Sequence, residues 1–188
     1  MNKHQERVLA AQAYQKFNTN KGIQQNGKAP VLVPFYHVFT AKITGTTVDF
    51  IVSGETKAVG QKTFDGSALP AGKDMVIAAI KSEYATAATD AGLIASSDYS
   101  ADAPSALIAG DFKITQGDRG VLAELLLDAM INNNTTPNNN DKELVLPDMP
   151  VIQGDMEFEA QSKLPVALAG GVDHYCKITV RGYVPKSR

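Results

Sequence analysis

The chain has 188 residues, a net charge of −2 and 44 % hydrophobic content, which suits one domain that buries its own core without disulfides or a structural metal. Its single cysteine, Cys176, excludes an intramolecular disulfide framework and every multi-cysteine zinc or iron–sulfur site. No apolar run approaches the roughly 18 residues of a spanning helix, and the polar start MNKHQER does not read as a signal peptide.

The charges are unevenly placed. Residues 1–30 hold five basic side chains (Lys3, Arg7, Lys16, Lys21 and Lys28) against one acid, Glu6, whereas the remainder holds 13 basic and 19 acidic residues. A basic arm on an acidic body points to an anionic partner at the N-terminus, either a membrane surface or nucleic acid, with docking on a neighbouring subunit as another use of the segment. The plainer alternative is a solvated helix with an excess of lysine. Two units follow: residues 1–29 as an N-terminal helix and basic arm, and residues 30–188 as a body.

Residues 5–17 are predicted to form an amphipathic helix, with Leu9, Ala13 and Phe17 on one stripe and Ala10 and Tyr14 beside them. Asn18–Ala29 carries Gly22, Gly27 and few apolar residues, the composition of an extended arm. From Pro30 the period becomes that of strands. Val31–Ile43 is expected as a strand that is bent or lies at an edge, because Pro34 removes a ladder donor. Thr44–Thr46 turns the chain into a partner at Val48–Val52, and further strands are expected at Lys57–Phe64 and Met75–Tyr84. Residues 85–105 read as a surface excursion, and Ala106–Thr115 as a strand.

Gly120–Ile131 satisfies both templates; the stripe Leu122, Leu125, Leu126 and Met130 favours a short helix. Asn132–Asn140 is a polar low-complexity tract with nothing to bury, expected as a loop tip. Strands are then expected at Glu143–Leu146, Asp155–Gln161, Leu164–Ala169 and Val172–Val184. In the last, His174, Cys176, Ile178 and Val180 share one face and Tyr175, Lys177, Thr179 and Arg181 the other, the alternation of a half-buried antiparallel strand. Eight or nine short strands with one or two helices predict a mainly β protein: an antiparallel β-sandwich, with a jelly roll the first choice for its wide loop ends.

Signatures of chemistry are sparse. The histidines His4, His37 and His174 have no ligand spacing. His174 and Cys176 lie on one strand face, but side chains two apart along a strand stand roughly 6–7 Å apart, which suits a core cysteine beside a satisfied histidine better than a nucleophile and base. The near-repeats Ile114–Asp118 and Val151–Asp155 (I/V-T/I-Q-G-D) read as turns, and no calcium loop, Walker, Rossmann, nucleophile-elbow or zincin pattern is present. No catalytic residue, cofactor or metal is therefore expected. A β-sandwich binding module or adhesin for a protein or carbohydrate ligand is the alternative function; the absence of tryptophan weakens a sugar-stacking site.

This layout of a basic helix and arm at 1–29, a sandwich body, and a chain ending soon after Val172–Val184 resembles that of single-jelly-roll coat proteins of icosahedral viruses, especially tailless bacteriophages with an internal membrane. The resemblance is architectural. It implies a non-enzymatic capsid subunit located in the virion and assembled in the host cytoplasm. The expected partners are copies of itself, as a trimer or pentamer within a shell, and other virion proteins. It also implies an inward-facing N-terminus whose Lys3, Arg7, Lys16, Lys21 and Lys28 meet an inner membrane surface or packaged nucleic acid.

Overall fold

A computed structural model describes residues 2–23, 31–57, 62–87, 99, 101–131 and 143–186. The expectations for the arm at 24–29, for 58–61, for most of the 85–105 excursion and for Asn132–Asn140 lie outside the described residues.

Helix α1 (Lys3–Asn20) opens at Asn2, whose side chain accepts from the Gln5 N–H while the Gln5 side chain accepts from the Asn2 N–H, a reciprocal cap. The helix exceeds the predicted span, and its buried face is rotated from the expected stripe. Glu6, Ala10, Tyr14, Phe17 and Asn18 face the body, whereas Leu9 is 40 % exposed. The body supplies partners for two of the polar side chains on that face, Tyr14 and Glu6, and this favours turning that side inward.

Nine strands follow among the described residues: β1 (Leu32–Ile43), β2 (Thr47–Asp49), β3 (Met75–Ala87), β4 (Asp111–Thr115), β5 (Val121–Leu126), β6 (Leu144–Val145), β7 (Val151–Ile152), β8 (Glu159–Lys163) and β9 (Asp173–Pro185). Their antiparallel pairing is nested. β1 pairs with β9, β2 with β8, β3 with β6 and β7, and β4 with β5. Pairs enclosed one inside the next are what a single long hairpin leaves when it is rolled up, and the contacts of β9 with β3 and of β8 with β4 close the roll. The result is two sheets, β1-β9-β3-β6 with β7 also on β3, and β2-β8-β4-β5. This is the order of a jelly roll, as expected from the strand pattern.

The main core lies between the sheets and includes Phe39, Phe112, Ile114, Phe158, Cys176, Ile178 and Val180. A second cluster lies on the outer face of the five-stranded sheet, where Ala10, Tyr14 and Phe17 of α1 cover Leu32, Val76, Ala78, Met149, Val151 and Tyr183. Beneath it β3 shifts register between Ile77 and Ala79 against β9. There Gly182 lies so near Val76 that an added Cβ would stand 1.9 Å from the Val76 carbonyl oxygen, so the close approach requires glycine.

Several local expectations are corrected. Ala106–Thr115 is not one strand: α2 (Ser105–Ile108) sends Leu107 into the core before β4 begins. Gly120–Ile131 is not mainly a helix; its first half pairs with β4 as β5, and only α3 (Leu127–Met130) coils. Ladder bonds outweigh a leucine stripe that fits both periods. Leu164–Ala169 makes no strand, because beyond Leu164 the chain is largely exposed and finds no ladder. The strand expected from Asp155 starts at Glu159, after a turn with Asp155 at φ 64. The described residues of the expected strand Lys57–Phe64 contribute an isolated bridge from Lys62 to Phe39, and β7 lies where the sequence reads as a turn.

Candidate assembly surfaces

The position of α1 is set by polar contacts at both ends. Near its start, Glu6 is 4 % exposed and accepts hydrogen bonds from the Arg181 guanidinium and the Tyr183 hydroxyl (2.8 Å). Arg181 Nε also donates to Glu143 at 2.6 Å. Burial pushes the Glu6 carboxyl up, but the hydrogen bonds from Arg181 and Tyr183, with the Arg181 charge, outweigh it and hold the group below its ordinary value. A cleft of ≈ 580 Å³ runs beside this cluster, lined in part by Lys3, Arg7, Pro34 and Val145. Towards the other end the Tyr14 hydroxyl donates to Asp74 Oδ2 (3.1 Å), and the Gly154 N–H donates to Asp74 Oδ1 (2.8 Å). The Phe17 ring takes the Arg119 guanidinium at 4.8 Å and the Lys21 ammonium at 4.5 Å.

This docking leaves a one-sign surface. Glu6 is the only acid within residues 2–23, and it is turned inward, while Lys3, Arg7, Lys16 and Lys21 are all exposed. Lys3 and Arg7 sit at the β1 end, where Arg7 Nη2 donates to the Leu32 carbonyl at 3.4 Å. Lys16 lies roughly 20 Å along the helix from Lys3 at 1.5 Å per residue and about half a turn round it from Arg7, so the four are spread over the helix and form no single pocket. Lys28 lies outside the described residues.

The histidine and cysteine candidates are engaged elsewhere. His174 places Nδ1 2.5 Å from the Tyr84 hydroxyl and Nε2 2.8 Å from the Ala169 carbonyl. Its neighbour on the strand face, Cys176, instead meets Ser82 Oγ at 3.3 Å, and burial pushes its thiol up to about 12. His37 is buried between Phe35 and Phe64, with Nδ1 2.8 Å from Thr63 Oγ1. The two near-repeat turns come together: Gln116, fully buried, donates to the Gln153 carbonyl and accepts from the Gln153 N–H. Among the described residues no group of three His, Cys, Asp or Glu is placed to hold a metal. A smaller cleft of ≈ 360 Å³ holds Glu157 and Glu159, which accept from Ser67 and Thr115.

Large apolar side chains reach solvent at sheet edges, and others do so on α1 (Val8 and Leu9) and outside the strands (Ile23, Val52, Val166 and Val172). β1 and β5 are edge strands of the two sheets. Along β1, Phe35 and Tyr36 stack with centroids 6.3 Å apart at 44 % and 61 % exposure, and Val31, just before the strand, is also exposed. Along β5, Val121 and Leu126 are 48 % and 59 % exposed. The pairing of Glu6 with Arg181 and the exposure of Leu126 were not read from the sequence. The one available signal was Glu6 itself, four residues before Ala10 and eight before Tyr14 on the same helical face.

No family model matches the chain, and no curated protein matches it. Among solved structures it is similar to a chain of the cyanophage Pam1 capsid asymmetric unit, at 12 % identity and a TM-score of 0.36, over 86 % of this chain and 92 % of that one. A likeness at that level leaves function to the geometry above. No helix among the described residues is long and apolar enough to cross a membrane.

Proposed function

We propose that this chain is a non-enzymatic coat subunit that assembles with copies of itself through the flanks of its jelly roll. The observation that carries this reading is that part of the exposed apolar surface lies on edge strands of both sheets, at Phe35, Tyr36, Val121 and Leu126. Aromatic and large aliphatic side chains at such positions are what protein interfaces use as anchors. Residues 1–29 serve as the inward arm, and Lys3, Arg7, Lys16, Lys21 and Lys28 meet an anionic partner. With the apolar face of α1 covered by the sheet, that contact is electrostatic and weakens with salt.

Purified protein examined by light scattering and negative-stain electron microscopy tests the reading. Discrete oligomers or particles support it. A chain that stays monomeric at high concentration and joins no particle overturns it.

A further inference from the structure

A sheet edge is where one copy of a chain can add a strand to another. Among the described residues the long edges are β1 and β5, since β2, β6 and β7 run for only two or three residues. The β1 edge is guarded against such addition. Pro34 has no N–H to offer, the Val38 N–H is taken by Thr63 Oγ1, Lys62 bridges Phe39, and the Leu32 carbonyl accepts from Arg7. β5 has no such guard along its second half. It holds no proline and no lysine, and its one charge is Glu124. The register shift that blunts its edge lies at its start, where Val121 pairs with Thr115 and Ala123 with Ile114.

The ladder to β4 fixes which backbone groups of β5 face outward. The Leu127 N–H donates to the Gly110 carbonyl, and the register then runs regularly, Leu126 with Asp111, Leu125 with Phe112, Glu124 with Lys113 and Ala123 with Ile114. In an antiparallel ladder, residues that bond the neighbouring strand alternate with residues that turn both backbone groups away from it. Counting back from Leu127, Leu125 and Ala123 bond β4, whereas Leu126 and Glu124 direct N–H and C=O to the open side. Among the described residues no other strand pairs with that side.

Resting on the coat reading, in which flanks of the jelly roll join copies, we infer that β5 pairs antiparallel with β5 of a second copy about a two-fold axis at Leu125. Side chains alternate between faces along a strand and opposed residues share a face, so a two-fold relating identical strands passes through a residue. An axis at Glu124 sets its carboxylate opposite its own copy, which like charges resist. An axis at Ala123 needs Leu122 to bond outward in register, and Leu122 is the extra residue of the register shift. The axis at Leu125 meets both conditions. Glu124 of each copy exchanges backbone bonds with Leu126 of the other, about four in all, and the two Leu125 side chains face each other at a non-bonded position, where opposed residues stand closest. Leu126, 59 % exposed, then lies beside the stem of Glu124 from the other copy. The edge selects a second copy as its occupant because its outward groups are spaced to bond their own counterparts. Being two-fold, the contact is distinct from the one that builds a trimer or pentamer, and it joins one such unit to the next.

Single cysteines test the register. Leu125→Cys, mildly oxidised at rising protein concentration, is expected to give disulfide-linked dimers, because opposed Cα atoms at a non-bonded position stand about 4.5 Å apart, within disulfide reach. Glu124→Cys and Leu126→Cys, whose copies stand diagonally and beyond about 7 Å, are expected to link roughly tenfold less. The wild type, with buried Cys176 alone, is the control. Because Leu125 packs in part against the core, hydrogen exchange on the unaltered chain, resolved by NMR, gives a second reading. With rising concentration the Glu124 and Leu126 amides are expected to slow about tenfold, while those of Ala123 and Leu125, already bonded to β4, change little. Three outcomes overturn the pairing and leave the coat reading intact: a folded Leu125→Cys chain that does not link, links as strong at Glu124→Cys or Leu126→Cys, or a wild type that associates with no change at these amides. A wild type that never associates overturns both.

Discussion

Replacing His37 with phenylalanine should flatten the acid side of the stability profile. His37 is 6 % exposed, wedged edge-on between Phe35 and Phe64, each with its ring centroid 5.0 Å away. Burial lowers its pKa from 6.5 to about 4. The fold therefore holds the imidazole neutral where the unfolded chain protonates it. Between pH 6.5 and 4 the unfolded state binds more protons, so stability is fully present above the unfolded value and is lost as pH falls through that window. A shift of that size corresponds to roughly 3 kcal/mol at 1.36 kcal/mol per pKa unit. Phenylalanine keeps the aromatic stack and forfeits the contact with Thr63 Oγ1, a cost of about 1 kcal/mol. Urea denaturation at pH 7.5, 6, 5 and 4 should show the variant slightly less stable at pH 7.5 and about 2 kcal/mol more stable than wild type at pH 4. Parallel pH profiles for the two proteins would refute the reasoning, since the carboxylates titrate equally in both.

Further outcomes follow from the same structure. Glu6→Ala leaves Arg181 and Tyr183 without their shared acceptor and should destabilise the fold by roughly 1–3 kcal/mol, the partial exposure of Arg181 keeping the loss below that of a fully buried pair; hydrogen exchange should speed up in α1 before the strands. Because the Glu6 carboxyl sits below its ordinary value, its contribution is present above pH 4.5 and lost as pH falls through its folded value, so Glu6→Gln should lessen the release of α1 on acidification. Gly182→Ala drives a Cβ into the Val76 carbonyl and should cost at least about 3 kcal/mol or prevent folding, read as a drop in Tm. Native Cys176 should resist a thiol reagent at pH 8 and react at once in denaturant; rapid native labelling would show the thiol is not sequestered. Deleting residues 1–29 uncovers Val76, Ala78, Met149, Val151 and Tyr183 but leaves the inter-sheet core whole, so the body should fold, with lower solubility and a lower Tm.

What the sequence revealed depended on how far apart the deciding partners lie. β9 was legible because alternation is a local property: Cys176, Ile178 and Val180 inward, Lys177, Thr179 and Arg181 outward. Pro34 was legible for the same reason, as a missing donor that only an edge tolerates. β5 was not, because Leu122, Leu125 and Leu126 fit a helix and a strand equally, and the choice came from β4, eleven residues away at the Lys113–Glu124 pair. The His37 environment was equally hidden, since Thr63 and Phe64 reach it from 26 residues on.

The helix shows the same rule from the other side. Counting apolar residues favoured a Leu9–Ala13–Phe17 stripe, yet the buried face includes Glu6 and leaves Leu9 in solvent. A charge enters a protein surface only where partners await it, and Glu6 finds Arg181 and Tyr183 on β9, some 175 residues away. That single long-range contact has two consequences. It fixes the rotation of α1, burying Tyr14 and Phe17 against the sheet, and it removes the one negative charge from the helix surface, so that Lys3, Arg7, Lys16 and Lys21 face outward unopposed on that helix. A segment that reads as a mixed-charge amphipathic helix thus exposes, once docked, only cationic charge, on a body whose sequence carries more acids than bases.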